Sequence, residues 1–204
     1  SRHLAQRILG IASSYEIEYL RADGGRLPVL IYGAPLRDEA GQLTGIIGLS
    51  IDIADRRRAE QAFQQERQLL RTLIDTLPDP IFVKDRQGRV LVINQATRKF
   101  LGFATNDEAL GKTVFDLFLP EAAELFHQDD LTVISTNQAV INREEPYLLP
   151  SGANGWFLTS KVPLRDATGE VIGLVGISRD ITQEKAAVAE RQKFEHKLQE
   201  TQKL

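Results

Sequence analysis

The chain has 204 residues, with 25 Lys and Arg against 28 Asp and Glu, so its formal charge of −3 gives no field that draws it onto nucleic acid. It has no cysteine, which excludes disulfides, iron–sulfur clusters, thiolate zinc sites and cysteine nucleophiles, and His3, His127 and His196 are too scattered for a histidine metal centre. Apolar residues at 42% suffice for a core, yet no apolar run is long enough for a membrane span or a signal peptide; the expectation is a cytoplasmic chain, excised or processed because it starts at Ser1.

In chain order, the first signals are turns. Asp23-Gly24-Gly25 and Asp38-Glu39-Ala40-Gly41 stand between apolar runs, predicting three consecutive strands that end near Asp52. Ala59, Phe63, Glu66, Leu70, Leu73 and Leu77 follow at 4-3-4-3-4 spacing, a heptad seam with one acidic interruption. The run Ile81-Phe82-Val83-Lys84, the turn Asp85-Arg86-Gln87-Gly88 and Val90-Leu91-Val92-Ile93 predict a hairpin. Asn94 stands at the N-cap position of a short helix, and Pro120 with Glu121 opens a longer one reaching about Ser135. Ser151 to Gly155 and Asp166-Ala167-Thr168-Gly169 then punctuate three more strands. Two glycines in Val171–Ile177 predict a bulge or a close backbone approach. Ala187, Arg191, Phe194, Leu198 and Thr201 repeat the heptad spacing more weakly.

The last three strands duplicate the first three. At an offset of 128, Tyr19–Ile53 aligns without gaps on Tyr147–Ile181 with 14 identities in 35 pairs, including Gly45/Gly173, Gly48/Gly176 and Asp52/Asp180. Chance would give about two. The hairpin and helices that precede the second copy have no counterpart before the first, so the first domain is expected to be cut roughly in half.

Leu77-Pro78-Asp79-Pro80-Ile81-Phe82-Val83-Lys84-Asp85, with Gly88-Arg89 and Asn94-Gln95-Ala96, resembles the opening of a PAS domain. Tyr147 through Asp180-Ile181-Thr182 resembles the sheet-forming C-terminal half, the PAC motif, and Lys197–Leu204 resembles the segment before the phosphoacceptor helix of hybrid-type sensor histidine kinases. The resemblance implies an α+β fold, a five-stranded antiparallel sheet with short helices on one face enclosing a pocket, flanked by long coiled-coil-like connector helices. The expected layout is 1–54 as the C-terminal half of one domain, 55–76 as connector, 77–182 as a complete domain and 183–204 as an exit helix.

Asp180 with Gln183 has capping-box spacing, and Thr182 is a second cap candidate. The resemblance makes Asp180 and Thr182 the joint through which sheet strain reaches the exit helix. The first copy has Asp52-Ile53-Ala54 there, so Asp52 keeps the acid but loses the hydroxyl partner. Pocket-lining candidates are Ile81, Val83, Phe100, Phe115, Leu117, Phe126, Val140, Phe157 and Ile177, all of which plain core packing would also bury. His127 forms a helical stripe with Leu131 and Ile134. Haem sensors of the family take their proximal histidine from this helix, which makes His127 the haem candidate, although its register from Thr136 is about one residue off. Cysteine-dependent flavin and chromophore adducts are excluded. Non-covalent flavin needs no cysteine, but no residue points to it, and a small ligand or none is expected.

His196 lacks the acidic residue that follows a phosphoacceptor, since Lys197 and Leu198 come next. No phosphate-binding Gly-Lys-Ser/Thr loop and no His-Glu-x-x-His helix occurs, and the acidic pairs Glu144-Glu145 and Asp129-Asp130 are expected on exposed segments. The chain therefore carries no catalytic residues and no metal site of its own. The reading is a tandem PAS sensor fragment acting as a homodimer through its connector helices and passing a cue to a histidine kinase domain in cis. The rivals are a ligand-free dimerisation spacer, a haem or flavin redox sensor, and relay to a cyclic-dinucleotide synthase.

Overall fold

A computed structural model describes residues 13–201, with side chains through His196. The chain divides into two compact units at Leu69/Leu70. In the first, β1 (Ser13–Leu20), β2 (Arg26–Arg37) and β3 (Leu43–Asp52) form an antiparallel sheet in that order. Alternation puts Val29 and Ile31 on a buried face, while Tyr32, Ile47, Leu49 and Ile51 share the other face at 42–61% exposure. Helix α1 (Ala54–Thr76) buries no side chain. Its heptad residues Phe63, Leu70 and Leu73 stand 54–62% exposed among the described residues.

The second unit begins with β4 (Ile81–Asp85) and β5 (Val90–Ile93). Next come α2 (Gln95–Leu101), a 3-10 turn at Asn106–Glu108, α3 (Val114–Leu117) and α4 (Pro120–Thr136). Strands β6 (Val140–Leu148), β7 (Asn154–Arg165) and β8 (Val171–Asp180) follow, and α5 (Thr182–Thr201) leaves the sheet. The sheet is antiparallel in the order β5-β4-β8-β7-β6, so β4 is paired on both sides. Val114, Ala122, Ala123 and Phe126 from the helices pack on Tyr147 and Phe157 of the sheet, and this one helix-covered face holds the core.

Asn94 ties the entry together. Fully buried, its Oδ1 accepts from the Thr97 amide at 2.9 Å, capping α2, and from the Ile81 amide at 3.0 Å. Its Nδ2 donates to the Ile74 and Asp79 carbonyls, both at 2.9 Å. One side chain thus joins the end of α1, the following loop, β4 and α2.

The duplication holds at the level of strand register. Gly33 pairs with Gly48 and Pro35 with Ile46, as Lys161 pairs with Gly176 and Pro163 with Leu174 at the same offset. Even the irregularity recurs, at Leu36/Arg37 and at Leu164/Arg165. Both following loops turn on a left-handed glycine, Gly41 and Gly169, with the Asp38 and Asp166 carboxylates accepting from the amides of Gln42 and Glu170.

The glycine signal in β8 resolves as close approach. A Cβ at Gly173 would sit 2.0 Å from the Lys84 carbonyl oxygen, and one at Gly176 would sit 2.2 Å from the Phe82 ring. At Gly45, the matching position in the first sheet, nothing described lies within 4 Å, because no described strand pairs with that side of β3. Gly173→Ala is therefore expected to destabilise the second unit by about 1–3 kcal/mol, whereas Gly45→Ala should change little. Thermal melts followed by circular dichroism would check both.

Candidate functional site

The helices and the inner sheet face enclose a cavity of about 60 Å³, walled by Phe82, Phe100, Phe118, Phe126 and Phe157, by aliphatic side chains, and by the polar Lys84, Thr97, Glu145, Lys161 and Ser178. Of the residues expected on its wall, Phe100, Leu117, Phe126 and Phe157 are there. Phe115, Val140, Ile81, Val83 and Ile177 are not. Ile81 pairs with Ile177 and Val83 with Val175 on the opposite sheet face, so β4 turns Phe82 and Lys84 inward instead. Ile-Phe-Val-Lys is apolar at its first three positions, so its pattern alone does not fix which alternate pair faces inward; the pairing with β8 does. Phe115 is half exposed and packs its ring against His127, with centroids 5.2 Å apart.

His127 is not on the cavity wall. A cavity of about 60 Å³ is also far below the roughly 300–1,000 Å³ of small-molecule sites. Neither a haem macrocycle nor a flavin ring system fits among these side chains as they stand. No group of three metal-ligating side chains occurs among the described residues.

Sequence reading missed the polar end of this core. The acidic pairs expected on exposed segments are largely buried: Glu145, Asp129 and Asp130 are each at most 5% exposed. Lys84 Nζ of β4 bonds Asp130 Oδ2 of α4 at 2.5 Å. Lys161 Nζ of β7 donates to the Phe126 carbonyl at 3.2 Å and to Glu145 Oε1 at 3.3 Å. It also lies 3.0 Å from Asp130 Oδ1, an ion pair without hydrogen-bond alignment. Asp129 is paired outward with Arg143. Burial pushes the Lys84 ammonium down, against the pull of Asp130, and pushes the Glu145 carboxyl up. The available signal was helical: Asp130 lies four residues from Phe126 and three from Val133, on the buried side of α4.

At the exit of the sheet, Asp180 Oδ1 accepts from the Thr182 amide at 2.9 Å, and Thr182 Oγ1 accepts from the Trp156 amide at 2.9 Å. The Ile181 amide returns to the Trp156 carbonyl at 2.9 Å. The capping box does not form. Asp180 closes a two-residue turn ahead of α5, and Gln183 makes no return bond. The Tyr147 hydroxyl donates to Asp180 Oδ2 at 3.1 Å. Burial would raise the Asp180 carboxyl, but the bonds from Thr182 and Tyr147 outweigh it and hold the group below the usual range. In the first copy, Asp52 Oδ1 accepts from the Ala54 amide at 2.8 Å and the further bonds are missing, since Tyr19 faces Ser50 at 3.5 Å.

A second tie is common to both copies. Glu144 of β6 pairs with Lys185 of α5 at 2.6 Å, and Glu16 of β1 pairs with Arg57 of α1 at 2.6 Å, with both residues at the repeat offset. Arg179 pairs with Glu184. His196 is exposed on α5, while the side chains of Lys197–Leu204, Leu198 and Thr201 among them, and His3 lie outside the described residues.

Comparison with known proteins settles the family. The family described as PAS fold is matched by residues 74–186, more than half the chain, and the one described as PAS domain by residues 2–55. The chain belongs to the PAS family. It is 32% identical over 157 residues to the virulence sensor protein BvgS of Bordetella bronchiseptica, covering 76% of this chain and 12% of that protein. It is 31% identical over 182 residues to the methanogenesis regulatory histidine kinase FilI of Methanothrix harundinacea, covering 88% of this chain and 19% of that one. A diguanylate cyclase of Vibrio cholerae is 35% identical over 128 residues, covering 61% of this chain and 39% of that one. A solved PAS domain from Colwellia psychrerythraea aligns with TM-score 0.50 at 25% identity, covering 59% of this chain and 98% of that one. The chain is thus a PAS sensory segment spanning a small part of the sensor proteins it matches. No described helix is long and apolar enough to cross a membrane.

Two outcomes test this geometry. Asp130→Ala leaves the buried Lys84 without its carboxylate and should cost about 3–5 kcal/mol, while Lys84→Met with Asp130→Leu should recover most of that loss, read as urea midpoints by Trp156 emission. Because the folded Asp180 carboxyl titrates below its unfolded value, its stabilisation is present above about pH 4 and is lost as pH falls through the folded value. Trp156 emission should therefore shift on acidification below about pH 4, and Asp180→Asn should remove that component.

Proposed function

We propose that this PAS segment senses or receives a cue in its second domain and passes it through the Asp180–Thr182 joint into α5, and so to a histidine kinase domain in the same polypeptide. The observation that carries this reading is the joint itself. One buried residue, Ile181, separates β8 from α5, and the first turn of the helix depends on side-chain bonds to the sheet. A side-chain cap of that kind contributes about 0.5–2 kcal/mol, and a cue that favours one arrangement of the helix start by about 1.4 kcal/mol changes the ratio of arrangements tenfold.

The exposed stripe of Phe63, Leu70 and Leu73 on α1 supports a homodimer joined by its connector helices, since apolar heptads left in water seek a partner. The proposed layout is a first PAS half at 1–54, connector 55–76, complete domain 77–182 and exit helix 183–204. A cytoplasmic location belongs to the same proposal, because a kinase output needs ATP. The filled core favours a compact ligand or none, with the cue then arriving along α1 as in a relay spacer. The match to a diguanylate cyclase supports that enzyme class as the second candidate output.

In the full-length parent, Asp180→Ala should abolish cue-dependent change in autophosphorylation while the protein stays folded, and Leu70→Glu should lower both dimer mass and regulation. Cue-dependent autophosphorylation that persists at its normal amplitude in Asp180→Ala would overturn the relay.

A further inference from the structure

We propose that Tyr147 is the positioning residue that couples the cavity wall to the start of α5, a role that rests on the relay reading above. Its ring and its hydroxyl belong to different environments. The ring is buried, 4.5 Å from Phe157 and 5.0 Å edge-on from Phe100, and those two rings are themselves 4.9 Å apart on the cavity wall. The hydroxyl reaches Asp180 and lies against the Thr182 side chain. A change in how Phe100 and Phe157 pack therefore moves a ring whose far end holds the carboxylate that sets the first turn of α5.

Space for this arrangement comes from Gly155. A Cβ there would lie 2.2 Å from Thr182 Oγ1 and 2.6 Å from the Tyr147 hydroxyl. Because aromatic rings are rigid and pack at native density, a displacement at one end is transmitted to the other rather than absorbed. The first copy serves as an internal control. Its Tyr19 is 43% exposed and turned to Ser50, Leu27 stands where Gly155 leaves room, and Ala54 replaces Thr182. The same duplicated strands fold there without the coupling, so it is not a requirement of the sheet.

Backbone amides give the direct readout, because the Trp156 N–H has the Thr182 hydroxyl as acceptor and the Thr182 N–H has Asp180. Hydrogen exchange is followed residue by residue in the full chain. Tyr147→Phe keeps the ring and should speed exchange at Trp156 and Thr182 about tenfold, with Val162 and Val175 in the middle of β7 and β8 unchanged. Phe100→Leu, which leaves the bonds of the Tyr147 hydroxyl in place, should speed the same two amides in the native background and lose most of that effect in the Tyr147→Phe background. Thr182→Ser should keep the protection of Trp156, and Thr182→Val should lose it.

Unchanged exchange at Trp156 and Thr182 in Tyr147→Phe would overturn the proposal. So would an equal rise at Val162 and Val175, or a Phe100→Leu effect that persists undiminished without the hydroxyl. No output domain takes part in the measurement, so an error about the kinase would leave its result standing. A failed relay assay with intact Tyr147 coupling would locate the fault downstream.

Discussion

Four buried charges fix the geometry on which the second domain depends. Lys84, Lys161 and Glu145 come from three different strands and Asp130 from the helix above them, so neutralising the set requires α4 to lie over the sheet at one register. Desolvating such groups is costly, and apolar side chains of the same volume would often be as stable. What the charges add is positional definition: an apolar α4 could slide along the sheet, whereas this one is pinned at Asp130. Lys84, Glu145 and Lys161 of that pin also line the aromatic cavity.

Beyond the pin, the domain is organised around polar side chains at its two ends. Asn94 receives the end of α1 and aligns it with β4 and α2, and the Asp180–Thr182 pair releases the chain into α5. Between them run the core rings, with Tyr147 spanning core and exit. Both ends combine burial with directed bonds: Asn94, Ile181 and the Tyr147 ring are buried, and each end is closed by one or two polar side chains.

Turn chemistry and duplication made most of the fold legible in the sequence. The Asp-x-x-Gly loops, the Asn94 cap, the helix after Pro120 and the three repeated strands all rest on local rules, and the 128-residue offset holds through register and bulge. What stayed hidden was side-chain parity where two patterns competed. Ile81-Phe82-Val83-Lys84 has apolar residues on both faces, and only the pairing with β8 decides that Phe82 and Lys84 point inward. Lys161, Glu145 and Asp130 were unreadable for the same reason: a charged residue implies water until its partners, distant in sequence, are in place. The Tyr147–Asp180 bond, 33 residues apart, has no local signature either.

The pair Glu144–Lys185 and its repeat Glu16–Arg57 give the two copies different sensitivities to their medium. These pairs are partly solvent-exposed, and at physiological ionic strength counterions screen such charges over about 8 Å. The first copy ties its outgoing helix to β1 through such ion pairs and to its own strand end through the Asp52–Ala54 bond. The second copy adds hydrogen bonds from Tyr147, Thr182 and Trp156, whose short range puts them beyond the reach of screening. Both junctions thus share a screenable ion pair, and only the second backs it with the Tyr147, Thr182 and Trp156 bonds.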